Sequence, residues 1–328
     1  MLLYILILAL VFILFWAPRE KIALFWNPSV VRWPYQPQAS SSELVALAQE
    51  IADSEQLYTG IVDGAEKCIH FTNPEKPQKT RYCVLYVHGF SACRQEISPV
   101  PEKVAQSLQA NYFATRLTGH GIDSEALGAA KPSDWIFDIT EAFEIARTLG
   151  EKIVVISTST GGTLATWMAQ QPECKKYLAA LIMVSPNYGP RHWGSPMFLW
   201  PYARLWLPLF SGETYGWDPD NEGSAKYWTY RYPVTVLYGM SALVQVVRHS
   251  DVEQITTPSL FFYADNDQTV KSRFTDEVFR RWGAKVKHRI AVPEESAGSN
   301  HVTTGDIVRP TTTESFVSEI LSFLNRHG

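Results

Sequence analysis

Residues 152–171 constrain the fold more than any other stretch. Lys152–Ile156 is an apolar, β-branched run that reads as a strand, and Thr163–Gln171 reads as a helix. Between them lie only small residues, Ser157-Thr158-Ser159-Thr160-Gly161-Gly162. A strand–sharp turn–helix of this kind strains the backbone to expose one side chain at the top of a sheet. It also aims the next backbone N–H beside it. Ser159 occupies the apex.

Size settles the register of the turn. With Ser159 at the apex, the tight flanking positions are Ser157 and Gly161, and glycines 161 and 162 permit close strand–helix approach. With Ser157 at the apex they would be Val155 and Ser159, which is worse on both sides. Glycine is the usual residue at position 157, and serine is a small departure from it. The plainer alternative is a Ser/Thr-rich turn that only caps a helix through Ser159 or Thr160.

The rest of the chain alternates in the same sense. Strand-like runs fall near 68–71, 83–87, 112–116, 153–157, 180–184, 259–263 and 286–292. Helix-like runs lie at 99–108, 133–149, 163–171, 272–282 and 313–326. The class is α/β, with a mainly parallel central sheet and helices on both faces.

Three loops at strand ends carry chemistry. Tyr82–Val87 runs into His88-Gly89-Phe90, which supplies a backbone N–H at Phe90; with the N–H of Thr160 it makes a pair of donors for an oxyanion. Such donors are worth about 3–4 kcal/mol each to acyl transfer. Leu260–Tyr263 ends in Ala264-Asp265-Asn266-Asp267-Gln268-Thr269-Val270, where Asp267 has the spacing of an orienting acid and Asp265 competes with it. Lys287–Val292 leads through a loop to His301, ahead of His120 and His288 by order and loop position. The order Ser159, Asp267, His301 is a nucleophile–acid–base order.

These pieces together resemble the α/β-hydrolase superfamily, in its serine carboxylesterase and monoacylglycerol-lipase branch (the serine aminopeptidase S33 type). The matching residues are Val87–Phe90, Arg116–Gly121, Trp135 with Asp138, Ser157–Gly162, Asp265–Val270 and His301. The resemblance implies an ester hydrolase with catalytic Ser159, Asp267 and His301 and with no metal or organic cofactor. It also implies a cap inserted after the strand ending at Val184. The same triad serves acyl transfer and amide or peptide cleavage, and the fold also hosts non-catalytic binding domains.

Composition fits such an enzyme. The chain has 328 residues, 46% hydrophobic, enough for one large core plus an insertion. A net charge of −4 leaves no basic surplus for nucleic acid. The four cysteines lack paired zinc spacing and read as buried thiols, although Cys68 and Cys83 flank a hairpin-like connection and could pair. Oligomeric state is not encoded legibly.

The expected organisation is 1–18 as anchor, 19–60 as linker and amphipathic helix, 61–185 and 252–328 as the hydrolase core, and 186–251 as the cap. Met1–Ala17 carries no charge, and about 17–20 apolar residues cross a bilayer core. A single retained N-terminal membrane span is therefore expected, with Trp16, Trp26 and Trp33 as an interfacial belt. Arg19, Lys21 and Arg32 after the run lean the catalytic domain to the cytoplasmic side. The cap holds Trp193, Trp200, Trp206, Trp217 and Trp228. Trp200 and Trp206 are the expected acyl-binding residues, for small-molecule or lipid esters of short to medium chain length.

Overall fold

The computed structural model describes residues 4–5, 22, 24–295 and 298–328. Seven strands form the main sheet: β1 Cys68–His70, β2 Thr80–Val87, β3 Asn111–Ala114, β4 Gly150–Thr158, β5 Leu178–Val184, β8 Ser259–Tyr263 and β9 Lys287–Ala291. Their order is β1-β3-β2-β4-β5-β8-β9. Only β1 is antiparallel to its neighbour; the other pairs are parallel. A separate antiparallel ribbon joins β6 Thr214–Gly216 to β7 Arg231–Pro233.

The central strands read as unbroken apolar runs because both faces are covered. On β2, Cys83, Leu85 and Val87 enter one core with Trp135, Ile139 and Phe143 of the helix Pro132–Leu149. Val84 and Tyr86 enter the opposite core with Val100 and Val104 of the helix Val100–Ser107 and Phe316 and Ile320 of the helix Thr313–His327. β4 repeats the alternation, with Ile153 and Val155 on the first side and Val154 and Ile156 on the second. Every expected strand and helix of the core is present, with ends moved by a few residues. The expected amphipathic helix is Ser41–Gln56, opened by a capping box between Ser40 and Glu43.

Two expectations fail at the start of the chain. The membrane span over 1–18, and with it the membrane location, is overturned. Among the described residues no helix is long and apolar enough to cross a membrane; residues 1–3 and 6–21 lie outside the described residues. Two of the three tryptophans assigned to an interfacial belt, Trp26 and Trp33, instead serve the core. Trp33 is buried, and Trp26 packs its ring on Phe143 and Trp167. Ile22 and Leu24 pack against the same core. Trp16 lies outside the described residues.

The cysteines are free thiols. Cys68 and Cys83 stand on β1 and β2, which β3 separates in the sheet. The hairpin-like connection between them therefore does not make their strands neighbours.

Candidate active site

The turn after β4 has the strain expected at its apex. Ser159 takes φ 50°, ψ −118°, a conformation that costs a non-glycine residue on the order of 1–3 kcal/mol and persists only when neighbours over-determine it. They do so here. The Ser159 N–H donates to the Val184 carbonyl at 3.0 Å, and the Ser159 carbonyl accepts from Gly162 and Asn187 N–H groups, each at 2.9 Å. The small neighbours are required. A Cβ on Gly161 would stand 2.2 Å from the Val87 carbonyl oxygen. Ser157 is wholly buried, and its hydroxyl donates to Ile182 on β5.

His301 reaches this turn from the loop after β9. Its Nε2 lies 2.9 Å from Ser159 Oγ, and its Nδ1 lies 2.7 Å from Asp267 Oδ2. Asp267 is fully buried, and its other oxygen accepts from the Thr269 and Val270 N–H groups at 2.7 and 2.9 Å. The two loops are tied together, since the Gln268 N–H donates to Ser299. Asn300, at φ 54°, closes the His301 loop by exchanging bonds with Glu295. Burial pushes His301 down, but the charge and hydrogen bond of Asp267, aided by Glu96, outweigh it and raise its pKa. With Asp267 on Nδ1, Nε2 is left to accept from Ser159.

The competing candidates lie elsewhere. Asp265 faces Arg289 from an exposed position. His288, on β9, stacks with His327 and meets Phe323 edge-on. His120 is buried against His88, Phe90 and Trp135. Burial lowers His120 to about 4. His88 is structural, as its place before the glycine implies. Its Nε2 accepts from the Leu117 N–H and its Nδ1 donates to the Gly89 carbonyl.

Phe90 stands two residues after that histidine and lines the cavity beside Ser159. Its N–H makes no bond among the described residues. Thr160 opens the helix Thr160–Ala169, where the first N–H groups have no intrahelical partner. The Arg116–Gly121 segment is fastened to the helix Pro132–Leu149. Asp138 accepts from the Thr118 N–H and hydroxyl, and the Trp135 indole donates to the Thr118 carbonyl.

A cavity of about 1080 Å³ opens over Ser159 and His301. Its walls come mostly from residues 190–241, among them Phe198, Trp217, Trp228, Tyr232 and Leu237. Trp200 and Trp206, the expected acyl-binding residues, do not line it. Trp200 is exposed and rests on Trp206. Trp206 donates its indole N–H to Pro201 and packs on the small cluster of Ala203, Leu207, Val234 and Tyr238. Both belong to the insertion's own packing, and composition alone could not separate that role from lining. The wall is also less purely apolar than residues 186–217 suggest, since Asp218 and Asp220 face the cavity.

Two further residues escaped the sequence reading. Arg191 donates from Nη1 to the Asp267 carbonyl at 2.7 Å, and its own backbone N–H donates to the Thr269 carbonyl, so the segment after β5 grips the Asp267 loop. Glu96 is buried beside Gly89. An isolated Arg or Glu in a loop carries no periodic signal that would mark it.

The fold and the site define a class. Residues 84–308 match the model of the alpha/beta hydrolase family, and the chain belongs to that family. It is similar to the thermostable monoacylglycerol lipase of Bacillus sp. (strain H-257), at 24% identity over 251 residues, spanning 75% of this chain and 91% of that protein. Among solved structures it is similar to a metagenome-derived lipolytic enzyme from work on LipS and LipT. The TM-score is 0.66 at 20% identity, over 81% of this chain and 100% of the other. It is also similar to a soluble variant of the monoglyceride lipase of Saccharomyces cerevisiae, with TM-score 0.60 at 13% identity, over 80% of this chain and 91% of the other.

Proposed function

We propose that this chain hydrolyses carboxylic esters through an acyl-enzyme on Ser159. The observation that carries the reading is the unbroken hydrogen-bonded line from Asp267 through His301 to Ser159, opening into a large and mostly apolar cavity. In the proposed cycle His301 Nε2 takes the Ser159 proton as Oγ adds to the ester carbonyl. The Phe90 and Thr160 N–H groups receive the charge on the carbonyl oxygen. The imidazolium then protonates the leaving alcohol, and water repeats the sequence on the acyl-enzyme. Asp267 holds the tautomer and supports the imidazolium without taking the proton.

The cavity favours uncharged acyl groups of short to medium length, including those of monoacylglycerol-like lipids; the lipase names borne by the relatives support this class. In this reading residues 61–185 and 252–328 are the hydrolase core, and 186–251 are a cap over it. Acyl transfer and amide cleavage would use the same groups, so product identity matters.

The test is turnover of p-nitrophenyl esters from acetate to palmitate, with released free acid measured. Each buried CH₂ contributes roughly 0.8 kcal/mol. kcat/KM should therefore rise over the first carbons and then level off or fall once the cavity is filled. Absence of turnover across the series, or release of the acyl group only onto an added alcohol, contradicts the reading.

A further inference from the structure

Glu96 has no part in the cycle above, yet it lines the same cavity as Ser159 and His301. It lies in the 3-10 turn Arg94–Ile97, 2% exposed, and forms no ion pair among the described residues. Its Oε2 accepts from the Gly89 N–H at 2.7 Å and from the Tyr86 hydroxyl at 3.0 Å. The same carboxyl lines the cavity with Ser159 and His301. A Cβ on Gly89 would stand 2.6 Å from Glu96 Oε1 and 3.1 Å from the Ser159 Cβ, so carboxyl and nucleophile flank the same glycine. Gly89 immediately precedes Phe90, the proposed donor.

Burying an unpaired carboxyl is costly, and a fold that needed only an acceptor for Gly89 could use an amide. The titratable groups facing it are Tyr86 from β2, His301 from the loop after β9, and Cys93 from the start of its own turn. Burial raises the Glu96 carboxyl to about 7, opposed by the Gly89 N–H, His301 and Tyr86. Its charge in turn raises His301.

We propose that Glu96 is a positioning residue of the reaction, fixing the Phe90 N–H through Gly89 and, when ionised, supporting the His301 imidazolium. This rests on the ester-hydrolase reading. The hydrogen bond to Gly89 sets where the donor points, and a misplacement of about 1 Å in such a group costs on the order of 100-fold. The charge acts separately. The base must be neutral to accept the Ser159 proton, and an anionic neighbour keeps it protonated to higher pH. Removing the charge while keeping the acceptor therefore extends activity to lower pH.

Glu96→Ala and Glu96→Gln separate the two effects. Glu96→Ala should lower kcat roughly 10- to 100-fold with KM little changed. Glu96→Gln keeps an acceptor for Gly89 and Tyr86, and should restore kcat at the pH optimum to within about threefold. The acid limb of its kcat/KM profile, which reports the free enzyme, should move to lower pH. The inference is overturned if Glu96→Gln leaves the acid limb in place. It is equally overturned if a folded Glu96→Ala keeps its kcat within about threefold, or if Glu96→Gln is as impaired as Glu96→Ala. Should Glu96→Ala not fold, the profile of Glu96→Gln decides alone. Ser159→Ala assayed alongside keeps the readings apart. Activity surviving in Ser159→Ala defeats the hydrolase reading, whereas its loss with unaltered Glu96 variants defeats only the role of Glu96.

Discussion

The carboxyl edge of the sheet and the segment between β5 and β8 sit against one cavity but are built differently. At the edge, Ser159, Asp267 and His301 are all buried, and backbone or side-chain bonds hold each of them. In the segment after β5, the helix Thr235–Arg248 sends Val236, Leu243 and Val247 into the main core. Residues 197–210 instead rest on a small separate cluster of Ala203, Leu207, Val234 and Tyr238, with Met197, Phe198 and Trp206 packed on it. The segment shows Trp193, Leu205, Leu209 and Phe210 largely to solvent. The difference separates two requirements. The reacting atoms need fixed geometry, which close-packed strands and strained turns supply. In the proposed reaction an acyl chain needs apolar surface of suitable length, which the short helices Ala203–Trp206 and Pro208–Ser211 can provide.

That contrast can be broken at its strongest point first. Ser159→Ala should lower ester turnover by on the order of 10⁴–10⁶, because nucleophile and base act as one unit. Activity within tenfold of the parent in a steady-state assay would mean that the edge is not the reacting site. Next comes the acid. Asp267→Asn keeps its shape but presents the wrong hydrogen-bonding pattern to His301, and should cost on the order of 10³–10⁴ in kcat. Asp265→Asn, which loses only an exposed pairing with Arg289, should change kcat less than about threefold. The reverse ranking would place the acid wrongly on the right fold.

Stability should divide along the same line. A methyl group on Gly161 meets the Val87 carbonyl at 2.2 Å, so Gly161→Ala should destabilise by about 1–3 kcal/mol in urea unfolding. Leu209→Ala, on an exposed side chain of the segment, should stay within about 0.5 kcal/mol. Equal losses would show that the segment is packed as firmly as the sheet. The smallest expected effect concerns selectivity. Trp217 lines the cavity and Trp200 does not. Trp217→Ala should shift the chain-length optimum while changing acetate ester turnover only a few-fold, and Trp200→Ala should leave the optimum in place. An optimum that moves with Trp200 instead would restore the lining role first expected of it.

The sequence is legible where the backbone is under constraint. A parallel sheet covered on both faces demands unbroken apolar strands, so each strand of the core stands out as Val84–Val87 and Ile153–Ile156 do. A turn that tolerates only small residues names its own apex, and loops at strand ends expose Asp267 and His301 by their order. Legibility ends where a residue's role depends on which way an irregular segment faces. Trp200 and Trp217 have the same side chain in the same proline-rich stretch, and only the fold turns one outward and the other toward Ser159. The uncharged start of the chain suggested a span, yet Trp26 and Trp33 just beyond it are drawn into the core by Phe143, Trp167 and their neighbours. Glu96 was invisible for a similar reason. Nothing in Arg94-Gln95-Glu96 distinguishes a solvated loop from a carboxyl folded beneath Gly89.

In the proposed cycle Ser159 Oγ is the atom that is acylated, and covalent labelling tests this most directly. A fluorophosphonate reacts with a serine only where a base and an oxyanion site activate it. The protein should take up one label, which peptide mapping by mass spectrometry locates on Ser159. Labelling should be lost in His301→Ala and should slow as pH falls and His301 becomes protonated. A label on any other residue, or ester turnover that continues after Ser159 is fully labelled, would contradict the account.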